Sequence, residues 1–224
     1  ELRQAFIKQK PRLLLSAAVS VAVAGRYDVA YDIPAMAKAL DYMCVMTYDM
    51  HGVWDQKLGH HGAFGLFLNW TLPYVAKGFP KQKIMMGVPF YGRGFTMTDP
   101  AKHYAGNAIT GVGNTPAGDN GESMYSELCD LVKTKGWTKL RNSHYGSDPY
   151  AYHDHIWVGY DDPFQAYDKA KWAKDHGFGG IMVWEIGQDD QKKCCSVKFP
   201  LLRAINNALF NTGKGPSAYN CEHK

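Results

Sequence analysis

The segment Met46, Thr47, Tyr48, Asp49, Met50, His51, Gly52 places a phenol, a carboxylate and an imidazole directly after an apolar run, Tyr42 to Tyr48, that reads as a strand. In a parallel α/β barrel, side chains at the carboxyl ends of strands face the active site. Tyr48 and Asp49 are therefore candidates for hydrogen bonding to a polar substrate, and the structural alternative is that Asp49 caps the next turn. Glu185 stands beside Trp184 and is a second carboxylate to weigh. Strand alternation argues against it: if Trp184 faces inward, Glu185 faces the helices. Asp189 and Asp190 follow in a polar loop and read as caps for the final helix. The histidines His51, His60, His61, His153 and His155 lack the spacing of a zinc site on one rigid element, so neither a metal nor a cofactor is expected.

Four apolar runs must position these groups: Leu13 to Ser20, Tyr42 to Tyr48, Ile84 to Phe90 and Gly180 to Trp184. They do not alternate cleanly, as expected for parallel strands buried on both faces. Ile33 to Leu40 has helical spacing behind Asp32 as cap and Pro34 near the first helical position. Leu66 to Lys77 reads as one helix stopped by Gly78, Tyr167 to His176 as another, and Phe199 to Phe210 as the last. Strand and helix alternate as in a parallel α/β fold. From Gly92 to Trp157 that rhythm fails, and a stretch rich in Gly, Asn, Asp, Ser and Tyr holds one helix candidate, Met124 to Thr134. A segment of this length is read as an inserted α+β subdomain. The domain reading is strands and helices over 1–91, the insertion over 92–157, the closing helix, strand and C-terminal helix over 158–212, and a tail or linker over 213–224.

The 224 residues are 46% hydrophobic and 21% charged, a globular composition. A formal net charge of +4, with no dense basic block, gives no reason to expect nucleic acid or a membrane as partner. The longest apolar run, Leu13 to Ala24, is broken by two serines and is shorter than the roughly 20 residues of a membrane span. The chain opens as if inside an amphipathic helix, without a starting Met, and the gene product is expected to begin upstream. Of five cysteines, Cys44 lies in a strand-like run and is read as core packing, whereas Cys129, Cys194, Cys195 and Cys221 are disulfide candidates. Two disulfides would imply an oxidising, secreted setting.

The Met-x-Tyr-Asp segment followed closely by His-Gly resembles the sixth-strand motif of glycoside hydrolase family 18, the chitinases and chitinase-like proteins. Leu14 to Ser20 resembles that family's fifth strand, Gly87 to Phe95 its seventh, and Gly179 to Trp184 its eighth. Trp157 to Asp162 is similar to the exit from its inserted subdomain. The matches occur in order and cover nearly the whole chain. The resemblance implies the second half of a (β/α)8 TIM barrel with an inserted α+β subdomain.

It also implies a substrate-assisted, retaining hydrolysis of β-1,4-linked N-acetylglucosamine, in which a fourth-strand Glu protonates the glycosidic oxygen and the substrate's own acetamido group attacks. That Asp-x-x-Asp-x-Asp-x-Glu signature is absent here. Its nearest candidate, Asp28 to Ala35, fails in spacing and in the final Glu. By the same resemblance Tyr48 would donate to the acetamido oxygen, Asp49 would hydrogen-bond sugar, Met46 and Ala17 would shape the acetamido pocket, and Trp184 would be the aromatic floor. Tyr91 and Arg93 would contact sugar further along, and Trp54 would stack at the leaving-group side. Arg93 has the alternative of pairing with Asp99 or Glu122. Cys129 would bond Cys194 or Cys195.

Chitin or chitooligosaccharides are the expected ligands, and an N-terminal half-barrel carrying the acid is the expected partner, either covalent or as a separate chain. Four parallel strands leave two open edges, so these residues alone are expected to be inactive and not to form a stable monomer. The alternative function is a non-catalytic chitinase-like lectin.

Overall fold

A computed structural model describes residues 1–9, 11–21, 29–116, 118–141, 148–194 and 197–219. In chain order the elements are α1 (Leu2–Ile7), β1 (Ser16–Ser20), α2 (Ile33–Ala39), β2 (Tyr42–Met46), α3 (Phe64–Asn69), α4 (Leu72–Ala76), β3 (Ile84–Pro89) and β4 (Tyr91–Met97). Then come β5 (Ile109–Val112), β6 (Glu122–Met124), α5 (Tyr125–Thr134), β7 (Thr138–Arg141), β8 (Pro149–His153) and β9 (Ile156–Gly159), followed by α6 (Pro163–Asp175), β10 (Gly180–Trp184) and α7 (Pro200–Phe210).

The parallel sheet has the strand order β1-β2-β3-β10. Val19, Met43, Val45, Ile84, Met86 and Val88 are buried on one face and pack with Phe67, Tyr74, Ala166, Ala170 and Leu201 of the helices. Each such side chain contributes about 1.5–3 kcal/mol when fully buried, so this face holds the sheet to its helices. The register pairs Ser20 with Met46 and Met182 with Gly87, which puts the residues between the core positions on the opposite face, where the barrel interior lies. Cys44 is on that face as a half-buried free thiol, so it is not the core packing expected of it.

Local chemistry explains the helix limits. The Asp32 carboxylate accepts the Ala35 N–H at 3.0 Å and starts α2. The single helix expected over Leu66 to Lys77 is instead two, α3 and α4, because Pro73 has no N–H to continue the ladder. Thr71 Oγ1 donates to the Phe67 carbonyl at 2.8 Å at the break, and Gly78 ends α4 with φ +93°. Helix α6 begins four residues before the apolar pattern suggests, since Asp162 caps it through the Gln165 N–H at 3.0 Å.

The insertion is an antiparallel sheet of order β5-β4-β9-β8-β7, with β6 also paired to β4 and with α5 following β6. Leu58, Phe95, Met97, Tyr150 and Trp157 form its own small core. Buried ion pairs surround the exit from it, and those of Asp162 join it to the barrel part. Asp161 meets Lys169 of α6 at 2.5 Å, and Lys169 Nζ also donates to the Gly62 carbonyl at 2.6 Å. Asp162 is gripped by Lys139 at 2.9 Å and Arg141 at 2.5 Å. At the other end Asp189 accepts the Leu201 and Leu202 N–H groups at 3.3 and 3.0 Å, so it caps α7 as expected. The stretch read as a linker is docked as far as Tyr219. Asn207 binds the Gly213 N–H and the Lys214 carbonyl, and Tyr219 is buried, while residues 220–224 lie outside the described set.

Lys169 is fully buried, and removing it leaves Asp161 charged and unpaired. Lys169→Ala should lower the unfolding free energy by about 3–5 kcal/mol. Urea melts of the variant and of Asp161→Asn/Lys169→Met check this, the double variant being expected to recover much of the loss.

Candidate active site

Strand β2 runs into Thr47, whose hydroxyl donates to the Gly87 carbonyl on β3 at 2.6 Å. That bond ties the loop to the neighbouring strand just before Tyr48 and Asp49. Tyr48 crosses the interior face over Gly87, where an added Cβ would meet the Tyr48 ring at 2.9 Å and the Val45 carbonyl at 2.6 Å. No side chain other than hydrogen fits there without moving Tyr48. The Tyr48 hydroxyl points at Met182 Sδ, 3.9 Å away. Burial first, and then the charge of Asp49, push the phenol up to about 12, so it remains a hydrogen-bond donor at neutral pH.

Asp49 has a left-handed backbone, φ +57°. Its Oδ1 receives the Tyr91 hydroxyl at 2.8 Å and Arg93 Nε at 2.7 Å. His61 completes the support from below. Its Nε2 lies 3.0 Å from the Tyr91 carbonyl, which can only accept, so Nε2 carries a proton. Its Nδ1 lies 3.4 Å from both the Asp49 backbone N and Oδ1. It accepts from the first when neutral and donates to the second when protonated. Burial pulls the Asp49 carboxyl upward, but hydrogen bonding from His61, Arg93 and Tyr91 outweighs it and holds the group well below the ordinary carboxylate range. The bonds fall on Oδ1, and among the described residues none falls on Oδ2, which leaves a lone-pair acceptor for a ligand hydroxyl or amide.

The structure thus gathers Tyr48, Asp49, Tyr91 and Arg93, with the Tyr48 and Tyr91 rings edge to face at 6.0 Å. Arg93 pairs with Asp49 rather than with Asp99 or Glu122. Trp184 ends β10 on the Met182 face, is 55% exposed, and its carbonyl accepts the Phe90 N–H at 2.8 Å. Met46 is partly buried and on the same face. Trp54 is 66% exposed on a short 3-10 turn, Val53–Asp55, with its ring laid over Gly52.

Three expectations change. Ala17 packs on the core face beside Val19, opposite Met46, so the two cannot line one pocket; Ala18 and Ser20 occupy the Met46 face. Glu185 is exposed instead of facing the helices, because the strand ends at Trp184 and a 3-10 turn, Ile186–Gln188, follows. Cys194 is a free thiol and so is not the partner of Cys129, which is disulfide-bonded. Cys195 and Cys221 lie outside the described residues. His61, Gly87 and Met182 are site residues that sequence reasoning did not single out. His61 was weighed only as a zinc ligand, and no periodicity marks a buried imidazole in a loop.

A parallel half-sheet, an α+β insertion leaving β3, and a tyrosine–carboxylate–guanidinium cluster beside an exposed tryptophan at the strands' carboxyl ends are the features of part of a (β/α)8 barrel domain. The chain matches the model of glycosyl hydrolases family 18 over residues 1–189 and belongs to that family. It is 36% identical to probable chitinase 10 of Drosophila melanogaster, over 99% of this chain and 10% of that protein. It superposes on catalytic domain 2 of the Ostrinia furnacalis group II chitinase with a TM-score of 0.86 at 37% identity, covering 96% of this chain and 59% of that one. Human YKL-39, described as a pseudo-chitinase with retained chitooligosaccharide binding, superposes with a TM-score of 0.82 at 30% identity, covering 93% of this chain and 62% of its own. The chain spans less than two thirds of each of these proteins.

Because the folded Asp49 carboxyl titrates below its unfolded value, its stabilising contribution is complete above the unfolded pKa of about 3.9 and fades as pH falls toward the folded one. Asp49→Asn should therefore melt at lower temperature than the parent at pH 7, with the gap narrowing below about pH 4. An unchanged gap from pH 7 to pH 3 in calorimetry would contradict this account.

Proposed function

We propose that this chain is the substrate-cradling part of a chitinase-type domain acting on β-1,4-linked N-acetylglucosamine. The observation that carries the reading is the pairing of a protonated Tyr48 hydroxyl with a charged Asp49 whose Oδ2 has no partner among the described residues. A hydroxyl donor beside a carboxylate acceptor suits an acetamido group, which offers one carbonyl oxygen and one N–H. In this reading Tyr48 donates to the acetamido oxygen and polarises it, and Asp49 Oδ2 accepts from the same group or a neighbouring hydroxyl. Trp184 presents a flat face to the sugar's C–H surface. With the acetamido oxygen as internal nucleophile, the protein needs a general acid and no nucleophile of its own. The acid comes from an N-terminal half-barrel carrying the acidic signature.

The likeness to a pseudo-chitinase favours one second reading, a lectin that keeps the cleft and lacks the acid. Hydrolysis of a fluorogenic chitobioside by the intact protein separates the two, since turnover excludes the lectin. In both readings Trp184→Ala should weaken chitohexaose binding at least tenfold, about 1.4 kcal/mol. Calorimetric titration with no change in affinity would remove Trp184 from the site.

The protein is further proposed to be extracellular, with Cys129 bonded to Cys195. Peptide mapping without reduction should find those two cysteines in one fragment, and a fragment joining Cys129 to Cys221 would refute the pairing.

A further inference from the structure

Beside the Tyr48–Asp49 cluster the antiparallel sheet presents one more carboxylate. Arg93 of β4 and Glu122 of β6 are register partners, so their side chains leave the sheet on the same face. Arg93 reaches Asp49 on that face at 2.7 Å, which puts Glu122 along the same side of the cleft, towards the insertion. The charges of Arg93 and Glu122 act on each other, yet Arg93 makes its ion pair with Asp49, and Glu122 has none among the described residues.

One buried amide fixes where Glu122 stands. Gln188, 7% exposed, accepts the Glu185 N–H on Oε1 at 3.1 Å and donates Nε2 to Glu122 Oε1 at 3.2 Å. Glu185 directly follows Trp184, so the bridge ties the carboxylate to the rim beside the exposed indole. With Oε1 engaged, Oε2 has no partner among the described residues, and it is not one of the buried, unpartnered oxygens. Glu122 is only partly buried, and this oxygen meets solvent.

We infer that Glu122 is a specificity-determining residue that accepts the ammonium group of a deacetylated sugar unit, so that the cleft prefers partially deacetylated chitin to the fully acetylated polymer. The inference rests on the cleft reading above, in which one unit lies on Trp184 with its acetamido group at Tyr48 and Asp49. The amine belongs to a neighbouring unit on the insertion side, because the unit on Trp184 must keep its acetyl group. A carboxylate oxygen with open lone pairs matches the N–H donors of an ammonium and forms a charge-assisted bond with it. An acetamido N–H offers a single neutral donor at the same point. Asp49 cannot serve the amine equally, since Arg93 already offsets its charge.

The test is calorimetric titration of the intact protein, parent and Glu122→Gln, with chitohexaose and with a partially deacetylated hexamer. Gln keeps an acceptor for the Gln188 amide and removes the charge. The ratio of affinities, deacetylated over acetylated, is expected to fall about fivefold in Glu122→Gln, the size of a partly exposed ion pair. It should also shrink in the parent as salt is raised and stay level in the variant. Asp175→Asn, at the C-terminal end of α6, should leave the ratio at the parent value. A ratio unmoved by Glu122→Gln overturns the inference, and so does one lowered as much by Asp175→Asn, which would reveal a general attraction to carboxylates. If the parent binds no chitohexaose, the cleft reading falls, and the response of the deacetylated hexamer to Glu122→Gln still decides the role of Glu122.

Discussion

The Asp49 carboxylate is the point on which three separate parts of the chain converge. Its backbone is left-handed, a conformation that costs an ordinary residue about 1–2 kcal/mol and that Asp tolerates better than most. What holds it there is a set of bonds from residues distant in sequence: Tyr91 and Arg93 on Oδ1, and His61 at the backbone N. The guanidinium and phenol are themselves ordered by the bond, since the Arg93 Cζ lies 5.7 Å from the Tyr91 ring centroid and both meet the same oxygen. Because Oδ1 is saturated, the free lone pairs of the carboxylate are directed to one side only. The site's specificity begins with that asymmetry.

That arrangement makes demands on the sheet beneath it. Tyr48 must pass over β3 closely enough to stand next to Asp49, and this is possible because Gly87 presents no side chain at the crossing. The alternation of β1, β2, β3 and β10 sends Val19, Met43, Val45, Ile84, Met86 and Val88 toward the helices and leaves Ala18, Ser20, Met46 and Met182 on the site face. A shift of register by one residue would exchange the two sets. Core packing and the Tyr48–Asp49 cluster therefore constrain the same strands from opposite faces.

Much of this was legible in the residues, for physical reasons that also mark where legibility stops. The apolar runs located all four parallel strands to within a few residues, because a parallel strand of such a sheet is mostly apolar along its length. Asp32 and Gly78 signalled helix ends by local chemistry. Tyr48 and Asp49 stood out because polar residues at a strand's carboxyl end are unusual unless used. Ala17 was carried over from the resemblance alone, and a run without clean alternation offered no check on which of two adjacent alanines faces inward. The break at Pro73 was overlooked in favour of the apolar spacing around it, and the early start of α6 was missed because Asp162 caps it while also anchoring the insertion. His61 was invisible as a site residue because its role exists only once β4 has folded back to bring Tyr91 beside it.

The insertion is for this reason more than an appendage on the barrel. Tyr91 and Arg93 are residues of β4, which pairs with β5, β6 and β9, so two of the three side chains ordering Asp49 belong to the antiparallel sheet. That sheet is in turn fixed to α6 by Asp162, which caps the helix and pairs with Lys139 and Arg141 of β7, where a buried charge left alone would be costly. A change in the docking of the subdomain must then move Arg93 relative to Asp49 and reach the ligand side of the carboxylate without altering any residue that touches ligand. The buried ion pairs, though remote from Tyr48 and Asp49, thereby help to set the site's geometry.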